Sequence, residues 1–515
     1  MQLGFLCTSK SSDSRKESRG HRRFPAMNKI LLPISLFSLL FAAACGGGGP
    51  TPPPAGNFSN SSLKGQYAYR LHGFVYTSAT TAALYAEAGV FTADGNGNIT
   101  SGTDDYLQQG SAVATTTTSG AYSVNNDGTG TIQLNSTALG TITLSITMAS
   151  SSKVYLIEAD AANTYGVAEL QNSGNLTTTP SGNLTFRMHD STVASRAGVF
   201  SISNGTLTGS EDLLAGGVLD NNTGSPLPLT GTVTAPVGGR GSGTFNDGLG
   251  TVQFLYYVVG ANNIRILRTD SGIVSLGRAE AQSGTFTNAS FSGSYAFGSR
   301  ADDSNTNGGI NGQNTVGAIT ADGNGNITGG AYDSVQDGNP TANASISPGT
   351  YSVGSDGSVV VNFSTSTGVS IQQIFWMVTP SRAFFLTNDS TKYEDGIADL
   401  QQSSSFTTAS LSGQYAFVMD GYIVNTSNID RVGWINGDGA GNMNLFENVN
   451  GNGSISSPGV LTGTYTVGTN GRAAATINGL SQANNDLVFY LVSPSQAYIL
   501  QNFSGYEVFG AMDLQ

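Results

Sequence analysis

The chain repeats itself four times, and this self-similarity limits its possible folds more than any other feature. Three phrases recur in fixed order. The first is Gly65-Gln66-Tyr67-Ala68-Tyr69, which returns as Gly182-Asn183-Leu184-Thr185-Phe186, Gly293-Ser294-Tyr295-Ala296-Phe297 and Gly413-Gln414-Tyr415-Ala416-Phe417, at intervals of 117, 111 and 120 residues. The second is Gly89-Val90-Phe91-Thr92-Ala93-Asp94-Gly95-Asn96-Gly97-Asn98-Ile99, which returns from Gly317 and Gly433 and, shortened, from Gly198. The third closes each unit: Gly166-Val167-Ala168-Glu169-Leu170-Gln171, then Gly277 to Gln282, Gly396 to Gln401 and Gly510 to Gln515. Units of this length read as four tandem modules over residues 58–172, 175–283, 285–402 and 405–515, with the second the most divergent.

Each module reads as all-β. Charged residues make up only 11% of the chain and there are 69 glycines, so short strands joined by tight turns fit the composition. Module one holds eight strand-like runs, near 65–72, 86–93, 98–107, 120–125, 130–134, 141–148, 154–159 and 165–171. Asp94-Gly95-Asn96-Gly97, Asn126-Asp127-Gly128 and Ser150-Ser151-Ser152 are the turns between them. No segment leaves room for a crossover helix, so neighbouring strands pair antiparallel. An eight-stranded meander closes most simply into an up-and-down barrel, with a two-sheet β-sandwich as the rival. The opening Gly-x-Tyr resembles the Gly-x-Trp start of lipocalin-like and avidin-like barrels, which implies the same closed architecture.

Alternation assigns the faces. Tyr67, Tyr69 and Leu71 share one face of the first strand, and Gln66, Ala68, Arg70 and His72 share the other. Later strands are apolar on both faces: residues 254–259, 374–378 and 487–492, with 154–157 and 383–386. An outer apolar face needs a cover, so these strands are expected to pack against neighbouring repeats.

The N-terminal part reads as an address. Residues 30–41 form an apolar run after Met27-Asn28-Lys29, too short to span a membrane and suited to a signal peptide. Ala42-Ala43-Ala44-Cys45 resembles the lipobox of bacterial lipoproteins, with Ala42 in place of the more usual leucine. That resemblance implies a lipid on Cys45, membrane attachment through it and a cell-envelope location, in the outer membrane or at the cell surface. Residues 1–26 are then an extension ahead of the true start at Met27, residues 27–44 the signal, and residues 45–57 a Gly/Pro tether.

Candidate chemistry is sparse. Asp94, Asn96, Asn98 and Asp105 have the oxygen spacing of a calcium loop, repeated by Asp322, Asn324, Asn326 and Asp333, but Ile99 and Ile327 occupy the position where an EF-hand needs glycine. Asp-Gly-Asn-Gly is also a plain hairpin sequence, so the expectation is a turn and no bound metal. His72 and His189 occupy equivalent places in repeats one and two, either as strand ends or as lining of a shared site. Glu169, Glu280, Asp399 and Asp513 recur in the closing phrase and suggest a structural partner, a turn amide or a tyrosine hydroxyl. There is no Ser-His-Asp order, phosphate loop or His/Cys cluster, so neither a catalytic residue nor a cofactor is assigned.

The net charge is −13. The first 44 residues hold seven Lys/Arg and two Asp/Glu, so the remainder carries 14 basic against 32 acidic residues. A body this acidic repels phosphate backbones and argues against nucleic-acid binding. The reading is a non-enzymatic envelope lipoprotein that binds a ligand of unknown identity or displays a surface. The alternatives are a purely structural envelope component and a glycan-active enzyme. Repeat two, with Arg265, Arg268, Arg278 and Glu280 near its end, is where a specific site is expected. The modules also resemble uncharacterised repeat lipoproteins of environmental bacteria, a likeness that implies no activity.

Overall fold

The computed structural model describes residues 57–515, apart from 79–80, 110, 112, 161, 192–193, 221–223, 271, 304–311, 425 and 479–485. The expected extension, signal and Cys45, and all of the tether but Asn57, lie outside the described residues.

The first repeat folds into eight strands: β1 (Lys64–Ser78), β2 (Thr81–Asp94), β3 (Asn98–Gln108), β4 (Ala114–Val124), β5 (Thr129–Ser136), β6 (Gly140–Ser150), β7 (Lys153–Glu158) and β8 (Ala162–Leu170). Each pairs antiparallel with the next, and β1 closes on β8 with Tyr67 opposite Leu170. The other three repeats close in the same way, each with one additional strand (Val218–Leu219, Asn339–Ile346 and Ser454–Ser456). The architecture is thus four tandem eight-stranded antiparallel barrels, and the sandwich alternative is excluded by the β1–β8 pairing.

Inward-facing residues fill each barrel. In barrel one Tyr67 stacks on Phe91 at 5.5 Å, and Tyr69, Leu71, Ile132, Leu144 and Leu156 complete a buried core. The Tyr67 hydroxyl donates to the Ser151 carbonyl at 2.6 Å, pinning the β6–β7 turn over the barrel end. Tyr295 and Tyr415 make the same bond to Pro380 and Pro494. The closing phrase begins with glycine because strands approach closely there: a Cβ on Gly166 would lie 1.8 Å from the Arg70 carbonyl oxygen.

A second set of buried clusters lies between barrels. The outer faces of β1 to β3 (Ala68, Ala86, Ala88, Val90, Leu107) pack on Leu255, Tyr257 and Leu267 of barrel two. Barrel two presents Ala197 to Ile374, Trp376 and Leu386 of barrel three, and barrel three presents Ala296, Val316 and Ala318 to Val488, Tyr490 and Leu500 of barrel four. Finally Ala416, Val418 and Val432 of barrel four pack on Ala149, Tyr155 and Ile157 of barrel one. Each barrel therefore offers its early strands to the late strands of the next, and the fourth returns to the first. The four barrels form a closed ring.

Candidate functional site

The closing phrase is the joint of this ring. The side-chain amide of its glutamine reaches the same carbonyl of the following barrel every time: Gln171 to Val258 at 2.5 Å, Gln282 to Met377 at 3.0 Å, Gln401 to Leu491 at 2.8 Å and Gln515 to Met148 at 2.6 Å. Its acidic residue likewise meets the seventh strand of the following barrel, by hydrogen bond or ion pair. Arg265 grips Glu169 with both arms at 2.5 and 2.6 Å, Arg382 pairs with Glu280 at 3.1 Å, the Tyr498 hydroxyl donates to Asp399 at 2.7 Å, and Lys153 and Tyr155 both bind Asp513. Each repeated acid is thus held from the neighbouring barrel, twice by a tyrosine hydroxyl, and Glu280 and Asp399 also meet an arginine of their own barrel.

Above these joints the outward faces of the first, seventh and eighth strands of all four barrels converge on one cavity of about 480 Å³. Seven of the 14 lysines and arginines in residues 45–515 line it: Arg70 and Lys153 from barrel one, Arg187, Arg265 and Arg278 from barrel two, and Arg300 and Arg382 from barrel three. Barrel four contributes Asp420, Gln496 and Tyr498. His72 and His189, the equivalent pair, both line the same cavity. His72 Nε2 is 2.8 Å from the Ser191 hydroxyl, and His189 Nδ1 is 2.7 Å from Asp395.

Six carboxylates answer these cations. Besides the four joints, Arg187 pairs with Asp395, Arg278 with Glu280 and Arg300 with Asp420. Burial pushes the Glu169 carboxyl up, but the Arg265 charge and its hydrogen bonds outweigh it and hold the group at about 2. Arg70 is different. It makes no ion pair among the described residues, and its Nε is buried without a hydrogen-bond partner. Burial and the neighbouring Arg265 and Arg187 charges lower it to about 10.

The sequence-derived metal candidates are not brought together. Asp94 caps its own hairpin, accepting from the Asn96 and Asn98 amides at 2.7 and 3.1 Å and from the Asn98 side chain at 2.7 Å. Asp322 does the same with Asn324 and Asn326. Asp105 and Asp333 lie elsewhere, buried between barrels. Arg240 binds Asp105 at 2.6 and 2.8 Å beside the Tyr257 hydroxyl, and Arg472 binds Asp333 at 2.7 Å twice beside Tyr490. Among the described residues no group of three or more His, Cys, Asp or Glu is placed to hold a metal ion. In repeat two, Arg265, Arg278 and Glu280 face the cavity, whereas Arg268 binds Asp190 and Asp270.

Sequence reasoning missed Lys153, Arg187, Arg300 and Arg382 as site residues. One signal was available. In a body poor in cations, each falls on an outward position of a first or seventh strand.

No protein-family model and no curated protein matches the chain. Among solved structures, one match is the vaccine antigen Transferrin Binding Protein B from Haemophilus parasuis Hp5, a double mutant, at 8% identity. It covers 70% of this chain and 82% of that one with a TM-score of 0.16.

Proposed function

We propose that this protein is a lipid-anchored cell-envelope binding module, non-enzymatic, whose ligand site is the cavity at the centre of the barrel ring. One observation carries the reading: the barrel interiors are filled by their own side chains, while the place where all four barrels meet is hollow and gathers half of the body's cations. The envelope location rests on the signal-like run and the small residues before Cys45. Two experiments test the two halves. Labelled palmitate should enter the expressed protein and be lost in Cys45→Ser. Melting of the exported Cys45→Ser chain should rise in a metabolite library, and cavity substitutions such as Tyr165→Ala should abolish the shift. A library that leaves both proteins unmoved rejects the binding half.

A further inference from the structure

The geometry points to an organic anion, a carboxylate or phosphate group on a small apolar body, as the ligand of the central cavity, with Arg70 as its anchor. This rests on the reading of that cavity as the binding site. The charge count supplies the sign. Seven cations face the cavity and its joints, against the carboxylates of Glu169, Glu280, Asp395, Asp399, Asp420 and Asp513. Every cation except Arg70 has one of these as a partner.

A buried guanidinium N–H, here the Arg70 Nε, is unfavourable unless something accepts from it. A carboxylate or phosphate fits its planar fork two-handed. Arg187 and Arg278 also keep a buried Nε without a partner, so further donors are available. Burial first, and then the Arg265 and Arg187 charges, depress Arg70, and a bound anion would relieve the like-charge part.

The walls supply the rest of the ligand. Tyr165, Leu276, Ile397, Val418 and Phe509 line the same cavity and leave room for an apolar body larger than a bare inorganic ion. The cavity volume of about 480 Å³ lies in the range of small-molecule sites.

Calorimetric titration of the exported Cys45→Ser chain tests this with three probes of similar size: 3-phenylpropionate, phenyl phosphate and the neutral 3-phenylpropanamide. At least one anion should bind about tenfold or more tighter than the amide. Arg70→Gln should erase that preference, Arg70→Lys should keep part of it, and added sodium chloride should weaken the anions alone. The salt series gives the same readout should Arg70→Gln fail to fold. The better of the two anions identifies carboxylate or phosphate as the recognised group. If the amide binds as well as the anions and Arg70→Gln changes nothing, the anion assignment is overturned while the central site survives. If none of the three binds, both fall.

Discussion

The inside of a barrel and the centre of the ring are built from opposite faces of the same strands, and they obey different rules. On the inner face, equivalent first-strand positions read Tyr67, Leu184, Tyr295 and Tyr415, all buried and apolar. On the outer face, equivalent positions read His72, His189, Arg300 and Asp420, all lining the cavity. Each interior needs the same volume filled at crystal-like density, so four copies can share one solution. The centre is met by all four copies at once. Four identical charges there would face one another across a single cavity in a low-dielectric surround. The copies must differ at this place for the ring to close, and the difference turns a four-fold position into one asymmetric site.

The largest test of this contrast is inside a barrel. Phe91→Ala removes a fully buried ring stacked on Tyr67 and should cost about 4 kcal/mol, read as a shift in the urea midpoint. A loss below 1 kcal/mol would mean the interiors are less tightly filled than the structure describes.

A smaller loss should follow at the rim of the centre. Arg265→Met leaves Glu169 without its bidentate partner and should cost about 3 kcal/mol at neutral pH. The sign with pH is fixed by the depressed carboxyl. Glu169 sits at about 2 in the folded protein, below its unfolded value. Its contribution is therefore present above about pH 4.3 and drains away as pH falls towards 2. Wild type should lose stability over that interval more steeply than Arg265→Met. Parallel acid profiles would contradict the assignment.

The two regions were not equally legible in the sequence. The eight runs of module one coincide with β1 to β8, because inward alternation and Asp-Gly-Asn-Gly turns are local signals. Their lengths were underestimated where small and hydroxyl residues, as in residues 114–119, carry no apolar alternation but still pair in the barrel wall. The centre was nearly invisible. Arg70 and His72 read as an outer polar face because a strand pattern cannot tell water from a fourth neighbour. Lys153 and Asp513 are 360 residues apart, and only ring closure brings them together at 2.6 Å. The repeated acid and glutamine of the closing phrase were visible as a pattern, but their targets lie on another barrel.

Three of the barrels also hold charged groups inside, and barrel one differs from barrels two and four in how those groups are paired. At matching places barrels two and four pair Arg196 with Glu211 and Arg431 with Glu447. Barrel one has Glu87 and Asp104 instead. Tyr69 and Tyr85 donate to Glu87, while both Asp104 oxygens are buried without a partner. Burial, then the Glu87 and Asp105 charges, raise Asp104 to about 8. A raised carboxyl binds its proton more tightly when folded, so barrel one should lose stability as pH rises from about 4 to 8. Asp104→Asn should flatten that slope and gain about 1–2 kcal/mol at pH 8. An unchanged slope in thermal melts would place the titration elsewhere.

The smallest effect should come from the half-exposed part of the ring centre. Lys153 pairs with Asp513 at 2.6 Å, yet its side chain keeps 35% of its exposure. Water already screens such a pair, and Tyr155 also donates to Asp513, so the carboxylate is not orphaned when the lysine goes. Lys153→Gln should therefore cost less than about 1 kcal/mol in the urea midpoint, and less still in added salt. Tyr155 is buried in the cluster joining barrels four and one, so Tyr155→Phe in the same background should cost more than the lysine did. If the lysine proves the costlier loss, the ring is closed by its exposed charges, and the division between packed walls and a charged centre gives way at that joint.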